Sequence, residues 1–350
     1  MAFTTIDNPE LYFQTKLYTG TGSSHAITLD GSENMQPDWV WIKRRNSAGG
    51  HMLTDVIRGV TKTIITNETG AEQTFSNGLT AFGSDGFTVG SEDGFNASSD
   101  TFVAWNWKAG TSFSNDASST GVGTIDSTGS INTTAGFSII SYTGTGSNGT
   151  IAHGLGAVPR WIIIKVRDTN NNWIVQHGSL GATKRMLLDL DYAESTQAFF
   201  NNTEPTSSVF SVGTVDLLNN SGNAYIAYLF AEKKGYSKFS SYTGNGNADG
   251  PFVYTGFAVA WLMMKRTDSA GEWLIYDNKR DSFNLRDTRL EAQDNFADST
   301  GTTKVFDFLS NGFKCRGSDA DINASGGTYI YMAFAESPFV NSNGVPTNAR

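Results

Sequence analysis

Trp39-Val40-Trp41-Ile42-Lys43, Trp161-Ile162-Ile163-Ile164-Lys165 and Trp261-Leu262-Met263-Met264-Lys265 share one pattern, a tryptophan followed by three apolar residues and a lysine. The apolar positions are consecutive rather than alternating, which marks a strand buried on both faces. Upstream of each lies Tyr-Thr-Gly-x-Gly, beginning at Tyr18, Tyr142 and Tyr242, with the lysine 23 to 25 residues after the tyrosine. Downstream come His51–Asp55, Trp173–His177 and Trp273–Asp277, each of strand composition. An Asn-containing turn at Asn96, Asn219 or Asn323 then leads into Phe102–Trp105, Tyr225–Tyr228 or Tyr329–Met332. Order and spacing kept three times are the signature of an internal repeat. The predicted fold is all-β: three tandem antiparallel β-sandwich, jelly-roll-like units, each of about eight short strands separated by Gly, Asn, Asp and Ser turns.

The boundaries follow from the repeat. Residues 1–14 precede it and are expected to form an attachment segment, and residues 15–110 form the first unit. Residues 111–135 are rich in Ser, Thr and Gly and read mainly as a linker, its end pairing in part as an edge strand through Val122, Ile125 and Ile131. Residues 136–236 and 237–340 form the second and third units, and 341–350 a tail.

Composition narrows the function. A formal charge of −9 argues against tracking nucleic-acid phosphates. Cys315 is the only cysteine, so no intrachain disulfide and no cysteine-based zinc cage forms. The start lacks a basic and apolar leader, so synthesis in a cytoplasm is expected, and the longest apolar run, Phe257–Met264, is too short to insert into a bilayer.

Motifs that resemble chemistry lack their context. Gly144-Thr-Gly-Ser-Asn-Gly149 matches a dinucleotide-binding pattern, but a strand and turn follow it rather than a helix, and a glycine-rich hairpin loop accounts for all three copies. His25, His51, His153 and His177 have no metal-ligand spacing. Asp319-x-Asp321-x-Asn323 begins like a calcium loop, yet Ala324 and Ile330 stand where Gly and Glu are needed. The Asn-x-Ser/Thr sites at Asn96, Asn201, Asn219 and Asn323 read as exposed turns. No catalytic residue, cofactor or metal site is predicted, and the chain reads as a binding and structural component rather than an enzyme. Asp55 with Arg58 and Asp277 with Arg280 recur at one place in the first and third units, where the second has His177 and Leu180. They read as a surface or inter-unit ion pair, with a polar glycan contact as the alternative; these four are the candidate ligand-binding residues.

As a set, Tyr12–Gly20, Gln36–Lys43, Asn132–Ser138, His153–Gly156, Gly250–Phe257 and Asn323–Tyr331 make the chain resemble tail-fibre and related virion proteins of marine bacteriophages. The resemblance implies a virion protein, a homotrimer, attached to tail or baseplate proteins and contacting a host surface glycan or outer-membrane protein. Its alternatives are a structural virion part (tail tip, collar or capsid decoration) and a glycan depolymerase.

Overall fold

The two faces of each Lys-ended strand are buried in different places. Successive side chains on a strand point to opposite sides, so Val40 and Ile42 enter a core of the first sandwich while Trp39 and Trp41 enter a second core common to the whole chain. Ile162 and Ile164 divide in the same way from Trp161 and Ile163, and Leu262 and Met264 from Trp261 and Met263. Continuous apolar sequence here reports two-sided burial, as expected.

The computed structural model describes residues 3–347, and the fold is all-β, with one-turn helices between antiparallel sheets. The first large sheet has the spatial order Phe13–Thr19, Thr101–Trp107, Trp39–Arg44, His51–Asp55, Lys62–Ile65 and Gln73–Thr74. A smaller sheet of His25–Thr28, Gly86–Val89 and Leu79–Gly83 covers one face. In the second, Phe137–Thr143, Ala224–Phe230, Trp161–Val166, Ile174–His177, Lys184–Leu187 and Ser195–Thr196 follow one another, faced by Gly149–Ala152 and Val209–Val212. In the third, Ser237–Thr243, Thr328–Pro338, Phe257–Arg266, Trp273–Asp277 and Leu290–Glu291 are faced by Phe252–Tyr254, Gly312–Cys315 and Phe306–Leu309.

The sandwiches are not strung out as an extended array. Their large sheets turn the inner faces toward one shared aromatic core. Trp107, Phe230 and Phe334, each five residues after the aromatic that opens its strand segment, meet there with ring centroids 5.5, 6.0 and 6.5 Å apart. Contacts close around this triangle in a cycle. Trp173 Nε1 donates to Ile65 O at 3.2 Å, Trp273 Nε1 to Leu187 O at 2.7 Å, and His51 Nε2 lies 3.1 Å from Glu291 O. Backbone bonds repeat the cycle at Asn171 N to Thr69 O, Gly271 N to Asp191 O and Gly49 N to Asn295 O.

Lys43, Lys165 and Lys265 are buried beside these junctions. Lys43 Nζ donates to Arg44 O at 2.8 Å and to Asn295 O across the boundary at 3.2 Å; Lys165 Nζ reaches Val166 O at 3.0 Å and Thr69 O at 3.3 Å; Lys265 Nζ reaches Arg266 O at 2.7 Å. Burial pushes each ammonium down to about 8.

Two sequence-based expectations are corrected here. Residues 111–135 are not mainly a linker: Thr111–Asn115 and Ser127–Asn132 pair with each other, and the latter pairs with Phe137–Thr143, extending the second large sheet. Ser, Thr and Gly build no core of their own, but backbone hydrogen bonding to a sheet edge does not require one. The described part of residues 1–14 is not a free attachment segment, since Ile6 and Phe13 are buried in the shared core and Phe13 stacks on Phe334; residues 1 and 2 lie outside the described residues. Tail residues 341–347 return to this opening, where Asp7 accepts from Ser342 N at 2.7 Å, and 348–350 lie outside the described residues.

Candidate functional site

The glycine-rich segments after Tyr18, Tyr142 and Tyr242 are not hairpin loops. The strands on either side of each belong to different sheets, so the segment is a crossover at one end of the sandwich. A buried asparagine holds each one. Asn219 Oδ1 accepts from Thr145 N at 2.7 Å, and its Nδ2 donates to Ser147 O at 2.5 Å and Gly213 O at 2.9 Å. Asn96 and Asn323 serve Thr21 and Asn245 in the same way, at 2.8 Å each. These asparagines end one-turn helices and are fully buried, which corrects their reading as exposed turns. Gly144, whose Cβ would fall 2.3 Å from Asn220 O, is required by this close packing.

Other candidate groups are absorbed locally. Asp319 caps a one-turn helix by accepting from Asp321 N at 2.9 Å, and Asn323 is turned into the fold, so the calcium-like sequence forms a helix start. Burial pushes the Cys315 thiol up to about 12, which holds it neutral. Among the described residues no group of three His, Cys, Asp or Glu side chains is placed to hold a metal ion, and no helix is long and apolar enough to cross a membrane. Glu291 is a carboxylate of raised affinity for its proton, pushed up to about 7 by burial and then by the charge of Glu272. Arg289 Nε lies 3.4 Å from it.

Asp55, Arg58, Asp277 and Arg280 are the largest departure from expectation. They are buried, not on the surface, and the side chains of both pairs are fully enclosed. Arg58 Nε meets Asp55 Oδ2 at 2.5 Å and Arg280 Nε meets Asp277 Oδ2 at 2.6 Å. Each carboxylate also binds a neighbouring sandwich, Asp55 accepting from Tyr228 OH at 2.7 Å and Asp277 from Trp105 Nε1 at 3.1 Å. The ion pairs themselves lie within one sandwich and only their carboxylates reach the next, and all four side chains are enclosed. A sheet-to-sheet boundary is the reason: the pair satisfies a partner donor that water cannot reach.

Each pair extends into a second bridge that the sequence reading missed. Glu72 takes Arg167 of the second sandwich through two bonds of 2.9 and 3.1 Å, and Arg58 stands 3.7 Å away on its other side. Asp298 takes Arg45 of the first sandwich at 2.7 Å and Arg280 at 3.0 Å. Two of the three corners between sandwiches are thus filled by a carboxylate held between two guanidiniums. A legible signal existed, because Arg45, Arg167 and Thr267 all stand two residues after the buried lysine.

The third corner, between the second and third sandwiches, differs. Leu180 stands where Arg58 and Arg280 stand elsewhere, Thr267 replaces the partner arginine, and Glu194 occupies the place of the bridging carboxylate. The backbone junction is kept, with Glu194 N donating to Thr267 O at 2.8 Å. Between these residues lies an open cavity of about 380 Å³. A second cavity, also about 380 Å³, lies beside the chain's opening and is lined by Lys234, Lys238, Tyr254 and Phe339. Glu291 lines neither.

The architecture is that of an all-β protein of sandwiches closed around a common core. Over residues 8–338 the chain matches a family model described as a domain of unknown function (DUF7483), and it belongs to that family. A search of curated proteins finds no match.

Proposed function

We propose that this protein is a non-enzymatic binding component of a virion that contacts a host-cell surface, and that its three sandwiches are divergent copies of one unit. The observation that carries the reading is where the aromatics lie. Tryptophans are buried in the interior, yet Tyr192 is 59%, Tyr254 59%, Phe296 58% and Phe283 83% exposed. Exposed rings on a rigid scaffold are the usual anchors of recognition surfaces. The chemistry-bearing groups support the same reading, since His51, Asp55, Asp277, Lys43 and Lys165 are engaged in joining sandwiches.

The test is binding of labelled protein to intact marine bacterial cells before and after surface polysaccharide is stripped, with released sugar assayed in the same tubes. Glycan-dependent binding without sugar release is expected. Release of sugar points to a depolymerase, and no binding to any cell surface points to a purely structural virion part.

A further inference from the structure

We propose that the open corner between the second and third sandwiches is a saccharide-binding site, and that it exists because this corner lost the pair of guanidiniums that closes the other two. The proposal rests on the surface-binding reading above and names the site for it.

At all three corners the backbone junction is the same, so the sheets approach in the same manner. At two of them Arg58, Glu72 and Arg167, or Arg280, Asp298 and Arg45, fill the space. At the third, Leu180 and Thr267 are shorter, and Glu194 is left with Lys184 as its ion-pair partner. The donor that the first corner's Asp55 serves, Tyr228, and the third sandwich's Asp277 serves, Trp105, is matched here by Met332, which offers no N–H or O–H. His177 replaces the aspartate and is held neutral, pushed down to about 3 by burial and by Arg160. The changes form a consistent set: acceptor, donor and both guanidiniums are missing together.

What remains fits a sugar. The cavity is lined by the hydroxyl-bearing residues Ser179, Ser241, Thr243 and Thr328 and by the apolar side chain of Leu180, while the hydroxyl of buried Thr267 is already bonded to that of Thr328 at 2.7 Å. Glu194 and Lys184 add a charge-assisted acceptor and donor with partly exposed side chains, 21% and 37%. Their charges cancel, so the site selects neither sign of ligand strongly. A neutral ring carrying several hydroxyls and one apolar face matches this lining, and the volume lies in the range of small-ligand sites.

The experiment uses the full chain and saturation-transfer NMR with the methyl glycosides of glucose, galactose, mannose and N-acetylglucosamine at millimolar concentration. At least one is expected to bind. Rebuilding the closed corner with His177→Asp, Leu180→Arg and Thr267→Arg together is expected to weaken that binding at least tenfold. Ser241→Trp, at the exposed mouth and away from the core, is expected to do the same should the triple variant fail to fold. No binding of any of the four probes to the unaltered protein, or unchanged binding in Ser241→Trp, overturns the proposal. The two readings separate on whole cells: if Ser241→Trp adheres as the parent does, the corner is not the site although surface binding stands. If the parent binds a probe but no cell, the corner site stands and the surface-binding role fails.

Discussion

The indole Nε1 of Trp105 donates to Oδ2 of Asp277 at 3.1 Å, although 172 residues separate them in the chain. The same oxygen takes Arg280 Nε at 2.6 Å, so one enclosed carboxylate joins a salt bridge within the third sandwich to an anchor from the first. Asp277→Ala leaves a guanidinium and an indole N–H buried without this partner and is expected to cost about 3–5 kcal/mol. Adding Arg280→Met removes the enclosed guanidinium, which Asp298 alone would then neutralise, and should restore part of that loss. Urea denaturation of the two variants checks this; a double variant less stable than Asp277→Ala would contradict it.

The buried lysines set the alkaline behaviour. Lys43, Lys165 and Lys265 give up their protons at about 8 in the folded chain, against about 10.5 when unfolded. Between those values the unfolded chain binds more protons, so stability rises with pH; below about pH 8 the full cost of burying three cations is present. Above about pH 10 the sign reverses, because burial holds the phenols of Tyr142, Tyr228 and Tyr242 well above their ordinary range and the unfolded chain ionises first. Unfolding free energies near pH 7, about 9.5 and about 11 should therefore pass through a maximum. Lys165→Met should flatten the first rise by about a third.

Because Trp107, Phe230 and Phe334 pack on one another, no sandwich can unfold without exposing the core of the other two. Calorimetry is expected to show one transition with equal calorimetric and van't Hoff enthalpies. Trp107→Ala should lower its midpoint, at a cost of about 3–5 kcal/mol, without splitting it. Three separable transitions would show that the shared core does not couple the sandwiches.

Asn219 is a further point of leverage. Replacing it with Ala removes the acceptor for Thr145 N and the donors to Ser147 O and Gly213 O; the bond to Gly213 O is buried, and its loss alone is worth about 1–3 kcal/mol. Asn219→Asp should be worse, since it sets a carboxylate against the carbonyls of Ser147 and Gly213. Thermal midpoints of the two variants decide the order.

Much of the architecture was readable because it is written in local pattern. The continuous apolar run of Trp161–Ile164 requires two buried faces whatever covers them, and the strand class follows from that run and its turns. What covers the second face was not readable, since a tryptophan buried against its own sheet and one buried against a neighbouring sandwich have the same sequence signature. The misreading of Asp55–Arg58 has the same origin: spacing shows that the two can meet, while burial depends on Tyr228 arriving from elsewhere. The segment 111–135 misled because its order comes from backbone pairing, to which composition is nearly blind. Glu194 and Thr267 were passed over because only comparison with Glu72 and Arg167, or with Asp298 and Arg45, gives them meaning.

Closing the ring within a single polypeptide has an evolutionary consequence. In an assembly of identical subunits, every substitution is imposed on all corners at once, so a change that opens one weakens the whole threefold. Here each corner is encoded by its own codons. Two are locked by Arg58 and Arg280 while the one at Leu180 is open, so a substitution at the open corner leaves the ion pairs of the other two in place.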